Sequence, residues 1–112
     1  MSGAVTKVVE IGGQNYTLTA KFGTARLAEK ELGIPIPKLM SDVESIGFDA
    51  VSSLFWAFLQ PKHMMTREGA DNLIDECSVE QVTGWVGGCL AEYFGTDTKA
   101  GNVKKPAKRK AG

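Results

Sequence analysis

Apolar and polar residues alternate along residues 5–22, and the period then lengthens. VTKVVEI and YTLTAKF are β-rich and alternate, which predicts a β-hairpin. With Gly13-Gln14 as a two-residue loop, Ile11 pairs with Tyr16 and Val9 with Leu18. Ala20 and Phe22 then join the same apolar face, and Glu10, Thr17, Thr19 and Lys21 share the other. Glycine at the first loop position predicts a type II′ turn. Two strands alone are marginal, so the apolar face is expected to lie on helices.

Helical spacing begins after Gly23. Thr24 is the expected N-cap, ARLAEKEL the first helix and Gly33 its stop, with Phe22, Ala25, Ala28 and Leu32 inward. Pro37 suits the first position of a short helix burying Leu39, Met40, Val43 and Ile46. Ser41 and Glu44 also match a capping box, so a break near Ser41 stays open.

The most hydrophobic run, IGFDAVSSLFWAFL, sits at the centre of the chain. It predicts a helix from about Phe48 to Gln60, closed by Pro61. Val51, Leu54, Phe55, Phe58 and Leu59 form one stripe, with Phe48 on the same side. Trp56 falls ~140° from Val51, off that stripe. It is either covered by a neighbouring segment or an anchor for a partner. Thr66 predicts the cap of a third helix burying Ala70, Leu73, Ile74 and Cys77. Ser78 and Gln81 match a capping box for a fourth, with Val79, Val82, Trp85, Val86, Cys89, Leu90 and Tyr93 inward. Gly84, Gly88 and Ala91 share that helix's back face. Each helical glycine costs ~1 kcal/mol against alanine, so the strip is either a close-approach groove for a partner helix or a weakly held last helix.

These elements give an α+β fold: an N-terminal β-hairpin followed by a bundle of about four helices, one domain over residues 1–95. After Gly95 the apolar pattern stops, and TDTKAGNVKKPAKRKAG has the composition of a disordered tail. Charge sharpens this division. The whole chain is formally neutral, yet residues 96–112 hold six basic residues against Asp97, and the remainder holds seven basic against twelve acidic. An acidic body of net −5 therefore carries a basic tail of net +5. Lys104, Lys105, Lys108, Arg109 and Lys110 give the tail a weak, sequence-independent attraction for nucleic acid. With no aromatic to stack on bases, nucleic acid is not the expected partner.

Candidate chemistry changes the picture little. His63 is the single histidine and reads as an exposed loop residue. Asp71, Asp75 and Glu76 read as a solvated helix face, not a metal cluster. Gly12-Gly13 reads as a turn, not a phosphate loop. Cys77 and Cys89 would lie ~18 Å apart on one helix, and read as free, buried, reduced thiols. No catalytic residue, metal or cofactor is expected, and the chain reads as a non-enzyme. The first residues lack a basic segment followed by an apolar run, so no secretory signal is expected, and the central run is too short for a membrane span.

One ordered set of features resembles a known family. A glycine-turn hairpin, EIGGQNYTL, leads through a phenylalanine into a helix that ends in glutamate, three residues and glycine, Glu29 to Gly33, and then an IPKL-like segment. LFWAFLQPKHMMT, a Leu73-Ile74-Asp75 helix and a last helix ending in YFG follow. Over residues 5–95 this resembles the small tail assembly chaperones of long-tailed bacteriophages and the related gene-transfer-agent proteins. The basic tail, the Pro35/Pro37 pair and the glycines of the last helix depart from that pattern. The resemblance implies an assembly factor in the host cytoplasm that binds the tape measure protein and is absent from the finished particle. It also implies contact with the tail tube protein through a frameshifted longer form, with Lys104-Lys105 as the candidate slippery site. A homo-oligomer is compatible with the same role. A small nucleic-acid-binding regulator and a structural tail or connector component are the alternative readings.

Overall fold

The computed structural model describes residues 3–41 and 47–94. Strands β1 (Val5–Ile11) and β2 (Gln14–Ala20) form an antiparallel hairpin. Among the described residues five helices follow: α1 (Phe22–Leu32), α2 (Ile36–Ser41), α3 (Phe48–Leu59), α4 (Arg67–Glu76) and α5 (Val79–Phe94). The α+β class is as expected, with α2 the short helix near Pro37. That helix opens one residue earlier, at Ile36, whose N–H donates to Glu29 Oε2 at 2.7 Å. Ile36 and Leu39 are its buried residues, whereas the side chain of Met40, Val43, Glu44 and Ile46 lie outside the described residues. So does the whole basic tail.

The hairpin turn is Gly12-Gly13, not Gly13-Gln14. Ile11 therefore pairs with Gln14, Val9 with Tyr16 and Val5 with Ala20. Gly12 and Gly13 both have positive φ, 58° and 83°, as the centre of a type I′ turn requires. The expected register is off by two residues. An even shift preserves the faces of the strands, so Val5, Val9, Ile11, Leu18 and Ala20 are still buried together.

α1 begins two residues before the expected cap. Lys21 is its N-cap and Thr24 sits in the first turn. The buried Thr24 hydroxyl accepts from the Lys21 N–H at 2.9 Å and donates to the Thr19 carbonyl at 2.9 Å. Thr24 thus ties the strand to the helix without being the cap. Phe22 becomes the first helical residue and is exposed, not inward. Gly33 ends α1 with φ 77°, as its sequence position predicts.

α3 is the axis of the molecule and packs against α1, α4, α5 and β2. Val51, Leu54, Phe55, Phe58 and Leu59 are all buried. Phe48 departs from the stripe: as the first residue of α3 it is 79% exposed, although Ala50 and Val51 in the same turn are buried. The Thr66 hydroxyl accepts from Gly69 N–H at 3.0 Å to cap α4, and the Ser78 hydroxyl accepts from Gln81 N–H at 3.1 Å at the start of α5.

Cys77 lies half-buried between α4 and α5, and Cys89 is buried in α5, so the two do not share a helix. Both are free. Burial pushes the Cys89 thiol above its ordinary value, with Lys7 pulling partly back and Glu92 adding to the rise. The folded state therefore holds the thiol protonated after the unfolded chain has begun to ionise. Stability from this group is complete below pH 9.0 and is lost as pH climbs toward the raised folded value. Urea titrations from pH 8 to 10.5 should show that decline, and Cys89→Ala should flatten it.

Candidate functional site

Pro61 ends the central helix, and the chain must turn before Thr66 can start α4. Gln60 organises that turn. Its amide donates to the Trp56 carbonyl at 2.8 Å and accepts from Met65 N–H at 3.3 Å. The Trp56 indole N–H donates to the Met65 carbonyl at 2.8 Å, and the Arg67 guanidinium stands 6.0 Å from its ring centre. Trp56 is accordingly half-buried beneath the segment that follows its own helix. Of its two readings, covering by a neighbour is the arrangement present.

The same turn places Arg67 between three helices. Nη1 donates to Glu31 of α1 at 2.7 Å, and Nη2 donates to the Ser52 hydroxyl at 3.0 Å and lies 3.6 Å from Asp49. Ser52 in turn donates to Asp71 at 2.6 Å. This relay sets the spacing of α3 and α4 at one end and leaves a groove of about 390 Å³ between them. Arg67, Asp71, Ile74 and Asp75 line one wall at helical spacing, and Phe48, Asp49 and Ser52 the other. Val79 closes the end nearest α5. Asp71 and Asp75, which read as a solvated face, are thus walls of a cleft.

A second hollow, of about 240 Å³, lies among Phe22, Ala25, Ile36, Pro37, Tyr93 and Phe94. It is apolar and sits where α5 ends. Met64, in the turn after Pro61, is 89% exposed.

The remaining candidates are dispersed. Gly84 and Gly88 are exposed, and a β-carbon at either would meet nothing within 4 Å, so packing inside the chain does not demand glycine there. Ala91 is half-buried on the same helix. These residues do not line the groove and do not join Trp56. Lys104, Lys105, Lys108, Arg109 and Lys110 lie outside the described residues. His63 is not an exposed loop residue: it is half-buried, its Nε2 accepts the Thr17 N–H at 2.9 Å, and its ring lies 5.2 Å from Tyr16. The loop after α3 is thereby fastened to β2.

Among the described residues, no group of three or more His, Cys, Asp or Glu is placed to hold a metal ion, and no helix is long and apolar enough to cross a membrane. Comparisons with protein-family models, with curated proteins and with solved structures find no match to this chain.

Sequence reasoning missed Phe48, Arg67 and the groove itself. The signal available for Phe48 was its place as the first residue of its helix, one residue after Gly47.

Proposed function

We propose that this chain is a helix-holding assembly factor, acting as a tail assembly chaperone for a tape measure protein in the host cytoplasm. The observation that supports the reading is Phe48, a large apolar side chain 79% exposed on the wall of a groove shared with Ile74 and Val79. Exposed apolar surface beside a cleft is a cost to a free protein and a means of binding for one that shields a helical client. The packed core beneath it supplies a rigid platform. The hairpin-and-helix order that resembles the tail assembly chaperones supplies the identity of the client. In the same proposal, tail tube recruitment belongs to a frameshifted extension, and the chaperone leaves before the particle is complete.

Co-expression with the helix-rich protein encoded just downstream tests this reading. The expected result is a soluble complex that co-purifies, with the client insoluble when expressed alone. A client whose solubility is the same with and without this chain would overturn it.

A further inference from the structure

We propose that the groove between α3 and α4 docks an amphipathic helix whose apolar stripe is flanked by lysine or arginine. The inference rests on the reading of this chain as a helix holder and specifies the chemistry of what is held.

Size comes first. Arg67 and Asp75 stand eight residues apart on α4, which is ~12 Å of groove at 1.5 Å per residue, about two turns of a partner helix. Two turns present apolar side chains at i, i+3 or i+4, and i+7. Phe48, Ile74 and Val79 supply the apolar surface to receive them.

Charge selects the flanks. Asp49 stands on the α3 wall, and Asp71 and Asp75 on the α4 wall. Arg67 is the cation among the lining residues, and its two terminal nitrogens are already engaged by Glu31 and by Ser52 with Asp49 nearby. Asp71 accepts from Ser52, while Asp75 has no hydrogen bond or ion pair among the described residues. At the Arg67 end the carboxylates already have a cation or a hydroxyl beside them, whereas the Asp75 end is open. Asp75 and Glu76 also occupy the last turn of α4, which contains no basic residue. The negative end of the helix dipole lies there, so carboxylates in that turn are electrostatically unfavourable in the free protein. A cation from a partner relieves that repulsion, and an anionic partner deepens it. The basic stretch 96–112 of this chain has the charge but no apolar stripe, holding only Val103 and alanines.

The test uses the full chain and fluorescent 14-residue helical peptides with a leucine stripe, flanked by lysine in one and glutamate in the other. Fluorescence anisotropy at low salt should show the lysine peptide binding at least about tenfold tighter, with the gap closing toward 0.5 M salt, roughly, as screening shortens. Phe48→Ser should weaken the lysine peptide at least about tenfold, and Asp75→Lys should shrink or invert the preference between peptides. Both positions are exposed, and circular dichroism should show the variants folded. Equal binding of the two peptides, or indifference to both substitutions, would overturn the proposal. A free peptide of residues 96–112 that competes as well as the lysine peptide would also overturn it, by assigning the groove to the chain's own tail. Client retention unaffected by Phe48→Ser and Asp75→Lys would remove the groove and leave the chaperone. Peptide binding that depends on both residues, without any retention of the tape measure client, would keep the groove and remove the chaperone.

Discussion

Phe55→Ala is expected to destabilise the domain by about 3–5 kcal/mol. Phe55 is fully buried in α3, the helix that contacts α1, α4, α5 and β2. Deleting its ring removes transfer free energy and leaves a cavity walled by several elements. Collapse into that cavity is resisted because the surrounding pieces are held elsewhere, α4 by the Thr66 cap and the α3–α4 turn by Gln60. A single domain of this size has a total stability on the order of 5–15 kcal/mol, so the loss is a large share of it. In urea the midpoint should fall with an unchanged slope. Phe55→Leu fills most of the volume and should cost less, under about 1.5 kcal/mol beyond the lost methylenes. A loss below about 1 kcal/mol for Phe55→Ala would place the centre of the core somewhere other than α3.

That central role was legible in the run 46–59, because periodicity identifies a buried face whatever covers it. The helix limits near Gly33, Thr66 and Ser78 were legible for a related reason: caps are local chemistry, satisfied within four residues. The hairpin register was not. Gly12-Gly13 and Gly13-Gln14 are both credible turns, and what separates them is that two positive φ angles suit two glycines. Phe22 and Phe48 failed together. Each is the first residue of its helix and open to solvent, although Thr24 and Ala25, and Ala50 and Val51, are buried in the same turns. The groove was invisible for a third reason. Asp71 and Asp75 become walls only through the distance between α3 and α4, which is held by Arg67 and Asp71 both reaching Ser52, fifteen and nineteen residues away in sequence. His63 was hidden in the same way, since its partner Thr17 is forty-six residues away.

Trp56→Ala is expected to cost about 2–3 kcal/mol of stability, less than a fully buried ring because one side of the indole is open. The substitution removes the 2.8 Å bond to the Met65 carbonyl and the ring beneath Arg67. The turn from Gln60 to Thr66 then keeps its Gln60 bonds but loses the surface it folds onto. Trp56→Phe retains most of that surface without the indole donor and should cost about 1 kcal/mol. Binding separates this structural role from that of a partner anchor. Trp56 lies outside the lining of the α3–α4 groove, so at a temperature where the variant remains folded the lysine-flanked peptide should bind within about threefold of its original affinity. An anchor behaves in the opposite way, with stability nearly intact and affinity down by more than about tenfold. Measuring the melting transition and the peptide affinity on the same preparation decides between the two. The indole bond to the Met65 carbonyl and the Gln60 bonds beside it favour the first: Trp56 holds the turn between α3 and α4, while the groove keeps its own bonds from Arg67 to Ser52 and from Ser52 to Asp71.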